Sequence, residues 1–383
     1  MRIDLPLVMI VSGDAGGTRA IVPVVKTLRL KKRVRIKILA YAQAGNIWQE
    51  HNLPFEELSK RTSGFEARHW LGQSGAALVL AGTSTNELEW EKLFIAEAND
   101  LGVPSLAVLD FWTNYIARFS GTDGHTQFLP DRIAIMDEWA RDEMILVGFD
   151  PSRLVITGQP AFDNLSALRT KFSLAQRQAV RIGLGVAPEE KLVLFASQPF
   201  SQLYGADPTG PDYLGYDELS VLQALVETLD YLAEHHAQRI VLNIRPHPRE
   251  SDEALKAIKG RIVRVLVSNQ AETHAHVMAA DLVTGMNSIL LMEACYLGCL
   301  VVSLQPELRE ADVLPTNRWR MSQAIYHYSA FIPIIEELLF NPATQQTLHK
   351  RLSHLFVDGL ATQRVANLVY ELTGLNGVQT CQN

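Results

Sequence analysis

The chain has 383 residues, enough for two cores, and its 47% hydrophobic and 20% charged content excludes a disordered protein. A net charge of -7 excludes a general nucleic-acid binder, because neutralising phosphates takes a basic face. No apolar run approaches the roughly 20 residues that span a bilayer, the opening Met-Arg-Ile-Asp-Leu-Pro has no signal-peptide apolar region, and the three cysteines form no Cys/His array, so a cytoplasmic enzyme with reduced packing cysteines is expected.

Leu7 to Ser12 reads as a buried strand, and Ser12-Gly-Asp-Ala-Gly-Gly-Thr18 leads from it into a helix with Ile21 and Val25 on its apolar face. Gly16 and Gly17 let backbone approach a ligand closely, and the helix start supplies N–H donors. The turn is not Gly-x-Gly-x-x-Gly, and Ala40-Tyr-Ala-Gln43 stands where a dinucleotide enzyme carries an acid. No Gly-Lys-Ser/Thr follows either, so both a nicotinamide dehydrogenase and a P-loop are disfavoured. Asp14 is a candidate general base or a turn-stabilising residue. The basic stretch Lys26 to Lys37 reads as a solvated helix end and loop leading into the strand Val34 to Ala40; peripheral contact with an anionic inner membrane face is the alternative.

Further strands are expected at Ala76 to Ala81, Ser105 to Leu109, Arg132 to Met136 and Leu154 to Thr157, with helical patterns between them, which implies a parallel sheet with crossovers. After the first of these, Thr85 or Asn86 reads as a helix cap and Glu87, Glu89 and Glu91 as first-turn acids. After the second, Asp110 precedes Phe111, Trp112 and Tyr115. Two readings stand: a carboxylate base beside aromatic sugar platforms, or a helix cap beside core aromatics.

A polar helical stretch, Leu165 to Arg181, opens a second α/β series with strands at Lys191 to Ala196, Ile240 to Arg245, Ile262 to Val267, Asp281 to Thr284 and Cys299 to Ser303. The breaker-rich loop Gln198 to Gly215 follows the first of them and is expected to line a cleft or act as a lid. Arg245-Pro-His-Pro248 follows the second, with prolines holding His247 on a stiff corner suited to phosphate. Gly285-Met-Asn-Ser288 follows the fourth; Asn287 or Ser288 caps the next helix, whose free N–H groups make an anion site, and Glu293 lies in reach of a ribose diol. Helices at Ile332 to Leu339, Thr344 to Phe356 and Thr362 to Leu372 end the chain. The expected organisation is residues 1–164 as an N-terminal Rossmann-like domain, 165–360 as a second Rossmann-like domain, and 361–383 as a helix and tail packing back on the first.

In this order the motifs resemble the GT-B type nucleotide-sugar enzymes, the glycosyltransferases and UDP-N-acetylglucosamine 2-epimerases. Gly13-Asp-Ala-Gly-Gly17 looks like the first loop of lipid-intermediate N-acetylglucosaminyltransferases, with Thr18 where they have His. Val155-Ile-Thr-Gly-Gln-Pro-Ala-Phe-Asp163 is similar to the interdomain segment of epimerases and glycerophosphate-type polymer transferases. Arg245-Pro-His-Pro248 is similar to the His-Pro element of bacterial sialyltransferases and Kdo transferases, whereas Ser197-Gln-Pro-Phe200 replaces the epimerases' His-Arg-Arg-Glu-Asn. The resemblance implies two Rossmann-like domains facing a central cleft, closed by C-terminal helices. It implies a donor site at Gly16, Gly17, Ser197, Gln198, Arg245, His247, Asn287, Ser288 and Glu293, and a catalytic base at Asp110 or Asp14. The activity implied is glycosyl transfer from a nucleotide-sugar donor to a glycan, lipid-linked or small hydroxyl acceptor in surface polysaccharide synthesis. No Asp-x-Asp motif occurs, and no metal or other cofactor is expected. The alternatives are a UDP-sugar epimerase or hydrolase, and a non-catalytic nucleotide-sugar-binding subunit.

Overall fold

Along the first strand, β1 (Leu7–Ser12), Val8 and Ile10 enter one core while Met9 and Val11 enter another. A six-residue buried run does this when helices cover both faces of its sheet. The protein, seen in a computed structural model, is described over residues 5–59, 63–85, 88–121, 126–247, 250–268, 272–355 and 357–375. Pro248, Asn86, Glu87, Phe356 and Cys381 therefore lie outside the described residues. The chain divides into two compact units, one of Met1–Asn164 with Val357–Asn383 and one of Leu165–Phe356.

Unit 1 continues with α1 (Ala15–Lys31), β2 (Arg35–Ala40), α2 (Ala44–Glu50), β3 (Glu56–Glu57), α3 (Gly64–Ser74), β4 (Ala76–Gly82), α4 (Trp90–Leu101), β5 (Ser105–Val108), β6 (Arg132–Ile135), α5 (Glu138–Leu146) and β7 (Leu154–Ile156). Its strands form one parallel sheet in the order β3-β2-β1-β4-β5-β6-β7. The order reverses between β1 and β4, so the turns leaving these two strands part to opposite sides and open a crevice at their carboxyl ends.

Unit 2 has α6 (Leu165–Lys171), α7 (Leu174–Gly183), β8 (Lys191–Ala196), α8 (Phe200–Tyr204), α9 (Glu218–His235), β9 (Ile240–Arg245), α10 (Asp252–Ala257), β10 (Arg264–Val267), α11 (Thr273–Ala279), β11 (Leu282–Gly285), α12 (Ile289–Tyr296), β12 (Val301–Leu304), α13 (Pro315–Arg318), β13 (Gln323–Ile325), α14 (Phe331–Phe340) and α15 (Pro342–Leu352). Its parallel sheet runs β10-β9-β8-β11-β12-β13. Here the reversal falls between β8 and β11. The last helix, α16 (Ala361–Leu372), belongs to unit 1, where Val365, Ala366 and Val369 join the core of α1.

Three local differences from the sequence reading have plain causes. The stretch Leu165 to Arg181 is two helices, because Ser173 caps a new start at α7 in a capping box with Gln176. β3 and β13 are edge strands of two and three residues, too short to show a period. The loop after β8 contains α8 and is tied to its own unit, with the Ser201 N–H donating to Glu218 at 2.8 Å and Arg309 to the Pro208 carbonyl at 2.8 Å. Within the basic stretch, Arg33 lies 4.4 Å over the Tyr370 ring and Lys37 pairs with Glu56 at 2.9 Å, while Arg29, Lys31 and Lys32 are exposed.

Candidate functional site

At the reversal point of unit 1, the first turn of α1 is packed directly against the backbone that leaves β4. A Cβ added to Gly17 would stand 2.4 Å from the Thr83 carbonyl oxygen, and one on Gly16 would stand 2.1 Å from the Asp110 carboxylate. The missing side chains are thus room for the protein's own groups. Asp14 precedes α1 but makes no side-chain cap bond; it accepts the backbone N–H of Thr85 at 3.0 Å, joining the two turns.

Asp110 leaves β5 beside this junction. Its Oδ1 accepts from Thr83 Oγ1 at 2.8 Å and pairs with Arg118, which is 8% exposed on its side chain. No helix starts at Asp110, so the cap reading fails. The platform reading fails for two of its three rings: Trp112 and Tyr115 are buried, donating to Asp137 at 2.8 Å and Glu143 at 2.7 Å.

The residue that sequence reasoning missed is Glu91. It sits in the first turn of α4, where an acid is ordinarily solvated, yet it is 3% exposed. It accepts from the Gly13 N–H at 2.9 Å, from Ser84 Oγ at 2.9 Å and from the Tyr41 hydroxyl. Burial pushes its carboxyl up to about 7, against the lowering pull of these donors and with a smaller push from Asp14. Glu89 takes the cap position and pairs with Lys92 at 2.7 Å, while Thr85, read as a cap, instead serves Asp14.

In unit 2 the register sets Arg245, Ala196 and Gly285 side by side at the ends of β9, β8 and β11. The chain beyond these ends is cross-linked by side chains. Gln198 and Asn287 clasp across the reversal point, the Gln198 amide donating to Asn287 Oδ1 and the Asn287 N–H to Gln198 Oε1, each at 3.1 Å. Glu250 accepts from Ser197 Oγ at 2.8 Å and from the His247 N–H at 3.0 Å, and burial pushes its carboxyl up. Ser288 caps α12, accepting the Leu290 N–H at 3.3 Å. Arg245 donates to Thr273 Oγ1, and burial lowers its affinity for the proton. Glu293, on the same helix as Ser288, meets His274 Nε2 at 2.9 Å.

Glu250, Thr273 and His274 are further residues the sequence did not disclose. Their signal was positional: Thr273 and His274 open α11 after β10, another strand end of the same sheet. Elsewhere in unit 2, His235, His236 and Glu336 bring ligand atoms within 4.8 Å of one another, but His236 is already bonded to Glu336 at 2.7 Å and stacked on Phe340.

No protein-family model matches the chain, and no curated protein matches it by sequence. Solved structures do match. UDP-GlcNAc 2-epimerase from Neisseria meningitidis, bound to UDP-GlcNAc, superposes with a TM-score of 0.66 at 12% identity, covering 95% of this chain and 100% of its own. S. aureus MnaA with UDP gives 0.66 at 12%, covering 97% and 98%. MurG of Acinetobacter baumannii gives 0.62 at 13%, covering 96% and 99%. The fold is therefore the two-domain α/β fold of the GT-B type nucleotide-sugar enzymes, with parallel sheets of seven and six strands.

Proposed function

We propose that the protein is a nucleotide-sugar-dependent glycosyltransferase whose donor nucleotide is held by unit 2. The observation that carries this reading is a chain of contacts beyond the strand ends: Arg245 at the end of β9 donates to Thr273 at the start of α11, and the next residue, His274, meets Glu293 on the Ser288-capped helix α12. Arg245 and the helix N–H groups meet phosphate charge, and Glu293 accepts from the ribose hydroxyls. Some of the structures that share the fold were solved with UDP or UDP-GlcNAc, which supports a nucleotide sugar as the ligand class.

In the reaction the acceptor hydroxyl oxygen bonds to the anomeric carbon as the bond from that carbon to the phosphate oxygen breaks. The electron pair leaves with the nucleotide, where Arg245 and the α12 start stabilise it, and the hydroxyl proton passes to a carboxylate base. With these cations and dipoles serving the leaving group, the reading calls for no metal. The acceptor class is a surface glycan or lipid-linked precursor, with work at the cytoplasmic face.

A second reading, epimerase or hydrolase, is favoured by the UDP-GlcNAc 2-epimerases among the matching structures. Against it, Ser197 and Gln198 leave the end of β8 with neutral hydrogen-bonding groups where the epimerases resembled carry cationic ones.

The test begins with thermal shift against CMP, CDP, UMP, UDP and GDP, since a ligand of the native state raises the melting temperature. At least one should shift it, and Arg245→Ala should weaken that nucleotide about tenfold or more by calorimetry. No shift with any of the five would overturn the site. Conversion of a nucleotide sugar without acceptor would select the second reading over the first.

A further inference from the structure

The opposite pole of unit 2 carries a second collection of cations. Lys191 opens β8, Asp281 precedes β11 and Leu300 precedes β12, so all three lie at amino ends of the sheet, and the carboxyl ends of β8 and β11 carry the site above. β8 alone separates the poles by about 16 Å. Around a cavity of about 360 Å³ at this pole stand Arg169, Arg177 and Lys191, with Phe172, Met278 and His349 adding to the wall.

Charge within this cavity is not balanced. Asp281 is its one acid, and it is already shared: Arg177 donates to one oxygen at 2.7 Å, and Arg181 and the Leu192 N–H to the other at 3.1 and 2.7 Å. The Arg169 guanidinium meets carbonyls, of Leu352 at 3.1 Å and Tyr296 at 3.5 Å. Among the described residues, the side chain of Lys191 has no ion-pair partner. In a chain of net charge -7, the pocket is thus a concave surface of local positive charge, which draws anions to it.

The backbone makes room for the arrangement. Gly298, just past α12, has φ +81, and a Cβ there would lie 2.8 Å from the Arg169 guanidinium. The position thus combines a left-handed helix ending with space for the cation.

We propose that this pocket binds a small phosphorylated metabolite, independently of the donor site. Arg169, Arg177 and Lys191 would hold its phosphate or diphosphate, and Phe172 and Met278 would pack against its organic part. The volume suits a ligand of monophosphate or small diphosphate size.

Inorganic diphosphate is the probe, titrated calorimetrically into the full chain and into Arg245→Ala, which weakens the donor site. Binding should persist in Arg245→Ala and fall about tenfold or more in Lys191→Glu, with a smaller loss in Lys191→Gln. Equal affinity in the wild type and both Lys191 variants would overturn the proposal, as would no binding at millimolar diphosphate or complete loss in Arg245→Ala. A measurement on the unaltered protein guards against a misfolded variant. Diphosphate should protect the Lys191 amine from acetylation, read by mass spectrometry, while exposed Lys31 and Lys32 remain reactive; unprotected Lys191 would also overturn the proposal.

Discussion

The Glu91 carboxylate accepts the backbone N–H of Gly13 at 2.9 Å, so a buried acid from α4 holds the turn that leaves β1. The bond joins the two sides of the unit 1 reversal point, where Asp14 and Asp110 also converge. Because burial pushes Glu91 up to about 7 from an ordinary 4.5, the folded protein holds its proton more tightly than the unfolded chain. Between about pH 4.5 and 7 the native state then binds more protons, and stability falls as pH rises through that window. The full effect is about 3 kcal/mol, reached above pH 7. Glu91→Gln should remove this slope, so denaturation at pH 5 and pH 8 would show a smaller difference for the variant than for the wild type. An unchanged slope would show that Glu91 titrates normally.

The two glycines of the first turn should behave differently when given a methyl group. At Gly17 the new Cβ meets Thr83 backbone, its oxygen at 2.4 Å and its nitrogen at 2.8 Å, and backbone in a sheet end cannot step aside. Gly17→Ala should cost about 1–3 kcal/mol or more in urea denaturation. At Gly16 the obstacle is the Asp110 carboxylate, which can turn away. Gly16→Ala should therefore be milder in stability while disturbing the Asp110–Arg118 pair. A larger loss at Gly16 than at Gly17 would contradict the packing argument.

Trp112 distinguishes a core aromatic from a sugar platform. Its ring is 2% exposed and packs near Phe162, and its indole N–H donates to Asp137, whose carboxyl is itself pushed up by burial. Trp112→Ala should cost about 3–5 kcal/mol in unfolding free energy. An exposed platform residue would instead show little loss of stability.

What the sequence disclosed follows from which physical constraints act locally. β1 and β8 were legible because a strand covered on both faces must be an unbroken apolar run, whatever its partners. The cap of α12 was legible as Asn287 or Ser288, because a helix start needs a cap in its own neighbourhood, and the structure gives it to Ser288. Glu91 was not, since an acid in a first turn reads the same in sequence whether it is solvated or buried, and its fate depends on Tyr41, Ser84 and Gly13 brought to it by the sheet. The same holds for Asp110, whose Thr83 and Arg118 partners come from other segments, and for Trp112, where the composition suits a platform and a core equally. Gln198 and Asn287 were separately visible as strand-end residues, but their clasp required knowing that β8 and β11 are neighbours.

The His274–Glu293 pair offers the sharpest test of the proposed ribose contact. Glu293 and Ser288 share α12, while His274 comes from α11 and reaches Glu293 at 2.9 Å. If Glu293 accepts a hydroxyl of the ribose, the protein should prefer a ribonucleotide to its 2′-deoxy form by about tenfold, the effect of one hydrogen bond to a charged group. Glu293→Ala should weaken the ribonucleotide and abolish the preference, because the deoxy form loses nothing further. His274→Ala should give a smaller loss, since it removes orientation of the carboxylate and not the acceptor itself. Calorimetry on both single variants and the double variant closes the cycle: the combined loss should be less than the sum, as expected when one residue acts through the other. Strict additivity would separate His274 from Glu293, and an unaltered ribose preference in Glu293→Ala would remove Glu293 from the site.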